Sequence, residues 1–70
     1  MDARSRFAKN LRALRVEMKL SQEALGFRCS LHRTEISLLE RAEREPRLST
    51  IVRLAHGLET TPSELLKGIK

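Results

Sequence analysis

Apolar residues recur along the chain at helical spacing and predict an all-α fold. One stripe has the spacing i, i+4, i+7 and i+11 and consists of Phe7, Leu11, Leu14 and Met18. A second stripe, nearer the carboxyl end, consists of Ile51, Leu54, Ala55 and Leu58. No stretch alternates apolar and polar residues as a strand does. The pattern and its flanking residues predict a single domain over 1–70 with five helices, over residues 3–19, 22–28, 33–41, 50–58 and 62–69.

Residues suited to N-caps precede four of these helices: Asp2, Ser21, Ser49 and Thr61. Thr61 and Glu64 also have the spacing of a capping box, and Pro62 occupies the first helical position, which tolerates proline. His32 precedes the remaining helix, although histidine is not a favoured N-cap. The charged, proline-containing stretch 42–48 is predicted to be a loop.

The charge balance indicates a polyanionic partner. Lysine and arginine total 14 against 9 acidic residues, which gives a formal net charge of +5 on 70 residues. A basic surface on so small a domain favours nucleic acid. Single-stranded nucleic acid is disfavoured, because base stacking needs aromatic side chains and the chain has only Phe7 and Phe27.

Location and chemistry are constrained mainly by patterns that do not occur. No apolar run approaches the about 20 residues of a membrane span, and no signal peptide is predicted. A lone cysteine, Cys29, forms no internal disulfide and favours a reducing compartment. Cys29 and His32 have the spacing of two metal ligands, but no third ligand stands near them in sequence. No nucleophile–base pattern or Gly-rich phosphate loop occurs, so we expect no enzyme, no metal or other cofactor, and no small-molecule ligand.

Several short motifs follow one another in an order typical of a known family. They are Ser21-Gln22-Glu23-Ala24-Leu25, Ile36-Ser37-Leu38-Leu39-Glu40-Arg41, Pro46, Leu54-Ala55 and Pro62-Ser63-Glu64-Leu65-Leu66. In this order and spacing the chain resembles the lambda-repressor-like helix-turn-helix family over residues 7–69. The stretch Leu31-His32-Arg33-Thr34 is most similar to that of restriction–modification controller proteins and small phage-type repressors. The resemblance implies a compact five-helix DNA-binding domain.

The resemblance also implies which residues contact DNA. Residues 33–41 become the recognition helix, which lies in the major groove. The expected base contacts are Arg33, Thr34, Ser37 and His32. The expected contacts to the phosphate backbone are Ser21, Gln22, Arg41 and Arg44. The first two of these lie at a helix N-terminus, where anions bind favourably.

Alternatives to these roles stay open. Arg33 matches O6 and N7 of guanine, but a phosphate contact also fits an arginine there. Thr34 and Ser37 are short enough to contact bases or phosphates, and a neutral polar surface is the alternative. The arginines of the loop after the recognition helix alternate with glutamates, so a solvated charged loop is the alternative to a phosphate clamp. Glu35 can accept from cytosine N4 or complement the helix dipole, and we favour the dipole.

Two further groupings concern assembly and the interior. Leu65, Leu66 and Ile69 cannot all face the core, since adjacent helical positions diverge by about 100°. We therefore predict that they form a two-fold dimer interface. Arg15 lies beside the first apolar stripe, and Glu40 falls on an inward face where a carboxylate needs a partner. The resemblance to phage repressors implies that these two residues form an ion pair.

Departures from the family pattern concern glycine. The family usually has glycine at positions 30, 42 and 59, where this chain has Ser30, Ala42 and Glu59. Either these residues adopt a left-handed backbone, at roughly 1–2 kcal/mol each, or the turns are remodelled. Gly26 stands where the family favours alanine and costs about 1 kcal/mol in a helix interior.

These inferences predict a sequence-specific transcription regulator. We expect it to bind double-stranded DNA as a homodimer on a symmetric operator, in the cytoplasm of a bacterial or phage-infected cell, on the nucleoid. The alternative is a protein-interaction module, such as an antitoxin, that docks a partner through Phe27 and Leu38. A steep salt dependence of DNA affinity distinguishes the regulator from the module.

Overall fold

The computed structural model describes residues 2–70. These residues form α-helices and no strand, so the predicted all-α class is confirmed. The helices are α1 (Ala3–Glu17), α2 (Gln22–Cys29), α3 (Arg33–Glu40), α4 (Leu48–Gly57) and α5 (Pro62–Leu65). Relative to the predicted bounds, α1 ends two residues early, α4 begins two residues early, and α5 ends four residues early. No helix within the described residues is long and apolar enough to cross a membrane.

Side-chain caps begin every helix except α4. Three predicted caps accept a hydrogen bond from the backbone N–H three residues later: Asp2, Ser21 and Thr61. His32 also caps its helix, because its Nδ1 accepts from the backbone N–H two residues later at 3.0 Å. The prediction that Ser49 caps the fourth helix is wrong. The N–H of Ile51 donates to the carbonyl of Arg47 and closes the first turn early, so Arg47 is the N-cap and uses no side-chain bond.

Helices α1 to α4 are each followed by a left-handed residue with φ between 55° and 59°: Lys19, Ser30, Ala42 and Glu59. After α3, the N–H of Glu43 donates to the carbonyl of Leu38 at 2.9 Å, and that of Ala42 to Leu39 at 3.2 Å. This pair of bonds defines the Schellman motif, which usually has glycine at the left-handed position. The turns at 30, 42 and 59 are therefore not remodelled, and Lys19 is a fourth such position that was not expected.

All the helices contribute to one apolar core. Its large, fully buried side chains are Phe7, Leu11, Leu25, Ile36, Leu39, Leu54 and Leu65. Helix α3 packs against α1 and α2, while α4 packs against α2 and α5. Helix α3 therefore buries one side in the core and leaves the other at the surface.

Two glycines allow close approach between neighbouring segments. A Cβ at Gly26 would lie 2.5 Å from the carbonyl oxygen of Leu31, so only glycine fits where the turn into α3 passes α2. The close approach explains a residue that is otherwise unfavourable in a helix. A Cβ at Gly57 would collide with Sγ of Cys29, which shows how closely α4 lies on α2. Burial raises the pKa of the Cys29 thiol, so it stays protonated near neutral pH.

Candidate nucleic-acid interface

Helix α3 presents its polar N-terminal end at the surface. Ile36 and Leu39 are buried, whereas Arg33 and Thr34 are exposed and Ser37 is half-buried. The structure thus places the three predicted base-contacting residues of α3 on its uncovered side. His32 is exposed just before them, and its Nδ1 accepts the capping bond, which leaves Nε2–H as a donor.

A buried ion pair joins α1 to α3, and the predicted pairing of Arg15 with Glu40 is confirmed. Nε and Nη2 of Arg15 donate to the two Glu40 carboxylate oxygens at 2.6 and 3.0 Å. Nη1 of Arg15 donates to the carbonyl of Leu20 at 2.8 Å. Nε2 of Gln22 donates to Glu40 Oε1 at 3.1 Å. One carboxylate therefore fixes the position of α3 relative to both α1 and α2.

The first turn of α2 lies next to this network. The Ser21 hydroxyl caps the helix by accepting from the N–H of Ala24 at 2.9 Å. Gln22 uses one amide hydrogen on Glu40 and keeps the second, which is a free donor. These two residues, both predicted contacts to the DNA backbone, therefore lie beside the carboxyl end of α3.

Arginines at this surface are paired with carboxylates. Arg33 lies 3.4 Å from Glu23 of α2, and Arg41 lies 3.4 Å from Glu43. The shortest of these pairs joins Nη1 of Arg44 to Glu35 of α3, at 2.5 Å. The helix dipole favours a carboxylate at Glu35, and the structure adds Arg44 as its direct partner. The positive charges of Arg33, Arg41 and Arg44 are thus partly neutralised in the free chain.

The sequence did not single out some basic residues at this surface. Lys9 and Arg12 of α1 are exposed and line the same shallow depression as Arg41, of about 260 Å³. Arg53 of α4 lines a second depression with Arg44, of about 540 Å³. The positions of Lys9 and Arg12 away from the apolar stripe of α1 could have indicated from the sequence that they are exposed. The place of Arg53 beside Arg44 could not be predicted, because it depends on how α4 meets the loop.

The predicted dimer interface requires a correction. Leu65 is fully buried, so its side chain offers no surface to a partner. Its side chain packs in the apolar core, and Nδ2 of Asn10 donates to the carbonyl of Leu65 at 2.8 Å, which joins the end of α5 to α1. Leu66 is 38% exposed, and Ile69 is half-buried beside it on the rim of an apolar groove of about 270 Å³.

Helix α4 also exposes apolar side chains. Leu48 is 77% exposed and Val52 is 40% exposed, four residues apart and therefore on one side of α4. Helix α4 packs against α5, which ends one residue before Leu66. On α2, Phe27 is 87% exposed, whereas Leu38 of α3 is half-buried.

Among residues 2–70, no three His, Cys, Asp or Glu side chains lie close enough together to hold a metal ion. The spacing of Cys29 and His32 does not become a cluster, because Cys29 is buried and His32 is exposed.

Comparison with known proteins supplies independent information. A family model described as helix-turn-helix matches residues 11–65. The chain is 43% identical over 72 residues to control protein C.SmaI of Serratia marcescens, which covers 100% of this chain and 86% of that protein. It is also similar to the crystal structure of the restriction-modification controller protein C.AhdI from Aeromonas hydrophila, with TM-score 0.87, 39% identity, and coverage of 89% and 94% of the two chains. The P22 c2 repressor in complex with a synthetic operator gives TM-score 0.81 and 35% identity, with the same coverage of 89% and 94%.

Proposed function

The chain belongs to the helix-turn-helix family of DNA-binding transcription regulators, and from this premise we propose that it is a control protein that binds a symmetric operator as a homodimer. The observation that carries the proposal is the exposed, polar N-terminal end of α3 on a helix whose other side is in the core. That arrangement allows α3 to enter the major groove while the rest of the domain stays outside it.

Base recognition is assigned to the start of α3. The Arg33 guanidinium matches O6 and N7 of guanine in a bidentate contact. Thr34 and Ser37 are short hydroxyl side chains next to it, which fits bases at close range. His32 supplies a donor from Nε2–H at the groove edge. Helical side chains lean toward the N-terminus, so these groups extend beyond the first turn of α3.

Backbone contacts are assigned to the residues around α3. The Ser21 and Gln22 amides lie at the N-terminus of α2, where the helix dipole favours a phosphate. Arg41 and Arg44 follow α3, at the position where a helix leaves the groove. Lys9 and Arg12 lie beside Arg41 and extend this basic surface along α1. Their place beside Arg41 is known from the fold and not from the sequence.

Dimer formation is assigned to the α4–α5 side. One recognition helix covers only a few base pairs, so a two-fold pair of domains reads half-sites about 34 Å apart. Leu66 and Ile69 supply apolar surface after α5, and Leu48 and Val52 supply it on α4. This surface lies on different elements from the polar end of α3, so both can be occupied at once.

Control of a restriction–modification system is the regulatory role that the similarities favour. The match to control protein C.SmaI extends over the whole chain, and C.AhdI is a restriction-modification controller of nearly the same length. We accordingly assign the chain to the cytoplasm of a bacterial cell, at the nucleoid, with regulatory DNA binding rather than catalysis as its activity.

Selection from a random duplex pool tests the proposal. The chain is expected to enrich two inverted half-sites with centres one helical turn apart, each with a guanine opposite Arg33. Enrichment of single, unpaired sites would contradict the homodimer. The absence of any enrichment at low salt would contradict sequence-specific binding.

A protein-interaction module is the second candidate, because Phe27 is 87% exposed on α2. An exposed aromatic side chain offers a large apolar contact area to a protein partner. The dependence of DNA affinity on salt separates the two candidates, since neutralising Z phosphates gives a log–log slope of about −0.9Z. A flat slope would favour the docking module.

A further inference from the structure

Three exposed arginines that we assign to DNA are each paired with a carboxylate of the same surface: Arg33, Arg41 and Arg44. Among these pairs, that of Glu35 and Arg44 differs in its geometry. Its N–O distance is 2.5 Å, against 3.4 Å for Arg33–Glu23 and for Arg41–Glu43. The Glu35 side chain is also the least exposed of the three carboxylates, at 23%.

We propose that Glu35 is a positioning residue that holds Arg44 away from DNA until α3 is seated in its operator, and so lowers affinity for non-cognate DNA. The inference rests on the proposed function, because it requires Arg44 to be a backbone contact. Its new element is the role of Glu35, which increases specificity by competing with phosphate rather than by reading a base.

The competition follows from charge and position. Glu35 lies on α3, and Arg44 lies in the loop that folds back beside it, so the carboxylate occupies Nη1 of Arg44, a donor that a phosphate would also bind. Both ligands offer two oxygens to the same donors. A phosphate therefore displaces the carboxylate only when DNA is held in a fixed position close to Arg44.

Cognate and non-cognate complexes differ in that respect. On the operator, base contacts from the start of α3 fix the DNA backbone against the loop that carries Arg44. The complete set of DNA contacts then compensates for the loss of the Glu35–Arg44 ion pair. On other sequences the contacts are mainly electrostatic and loosely positioned. Arg44 then stays with Glu35 and does not neutralise a phosphate.

The test compares a duplex selected by the wild-type chain with a shuffled duplex of the same composition. Glu35→Gln keeps the side-chain shape and removes the charge. We expect it to raise affinity for the shuffled duplex about tenfold and for the selected duplex twofold or less. The salt slope on the shuffled duplex should steepen by about one unit per protomer, because one more phosphate is neutralised.

Two controls separate this role from a general charge effect. Glu17→Gln makes the same change in net charge near the end of α1, two residues from Arg15 and thus on the opposite side of that helix. It should leave the ratio of the two affinities unchanged. In an Arg44→Ala background, Glu35→Gln should have no further effect, because its action requires the arginine.

The outcomes distinguish this inference from the proposed function. Equal gains on both duplexes, a gain that persists without Arg44, or the same gain from Glu17→Gln would each overturn the role of Glu35 and leave DNA regulation standing. If the wild-type chain binds neither duplex at low salt, the proposed function itself is wrong.

Discussion

Helices α1–α3 and helices α4–α5 present different surfaces. In α1–α3, charged side chains join elements to one another: Arg15 binds Glu40 inside, and Arg44 binds a carboxylate outside. In α4–α5, part of the surface is apolar, since Leu48 and Leu66 are exposed. Hydrogen-bonded charges fix an orientation, whereas apolar surface drives association without a preferred direction. The half that presents α3 to DNA uses the first, and the half that we assign to a second copy uses the second.

Burial divides the ion pairs of α1–α3 into two kinds. The Arg15 and Glu40 side chains are 12% and 3% exposed, whereas those of Arg33 and Glu23 are 64% and 75% exposed. Water screens the exposed pair, so such a pair contributes under about 1 kcal/mol. Removing one partner of the buried pair leaves a desolvated charge. The buried pair therefore holds the fold, and the exposed Arg33–Glu23 pair is free to exchange partners.

The largest expected effect is the loss of the buried charge. Glu40→Gln should lower the free energy of unfolding by about 3–5 kcal/mol, because the Arg15 guanidinium loses its counter-charge. This loss is comparable with the whole stability of a domain of this size, about 4–10 kcal/mol. Urea unfolding measures it, with Glu23→Gln as the exposed control. Equal losses in the two variants would show that burial does not separate the pairs.

The next effect concerns the apolar half. Leu66→Glu puts a carboxylate into the proposed interface and should weaken self-association by about 2–3 kcal/mol, or roughly 30- to 200-fold. Sedimentation equilibrium at micromolar concentration measures this change. Val16→Glu is the matched control, since it places the same carboxylate on an exposed apolar position of α1. If Leu66→Glu associates as tightly as the wild type, the interface lies elsewhere.

Two arginines at opposite ends of α3 should respond differently to removal. Arg33→Ala should relax preference at one symmetric pair of operator positions by about 1–3 kcal/mol. Arg41→Ala should instead weaken all sequences alike and reduce the salt slope by about one unit. Both are measured on an operator set with single base-pair changes at several salt concentrations. A uniform loss from Arg33→Ala would make Arg33 a phosphate contact.

Features of the fold that depend on neighbouring residues were predictable from the sequence. The stripe that begins at Phe7 and Leu11 and the caps at Asp2 and Ser21 act within one or two helical turns, so their spacing is enough. An inward carboxylate at position 40 also needs a partner, and the resemblance identified Arg15 as that partner.

Features that depend on how the helices meet were not predictable. Leu65 is buried in the core that several helices share, and periodicity along one helix does not show which neighbour covers it. The pairing of Glu35 with Arg44 requires the loop to fold back beside α3. The base and backbone roles stay predictions, because they concern a partner molecule rather than this chain.

The smallest effect concerns the strained turn between the two halves. Ala42 follows α3 with φ of 59°, a conformation that costs a non-glycine residue roughly 1–2 kcal/mol. Glycine relieves this strain but gives the unfolded chain more conformational freedom, so Ala42→Gly should raise stability by about 0.5–1 kcal/mol. The melting temperature should rise by roughly 4–8 °C per kcal/mol. Ala13→Gly makes the same substitution at an exposed position inside α1 and should lower stability by about 1 kcal/mol. Opposite changes in the stability of the two variants would show that backbone strain, rather than loss of a methyl group, determines the outcome at position 42. A loss of stability in both variants would mean that the left-handed turn carries no such strain.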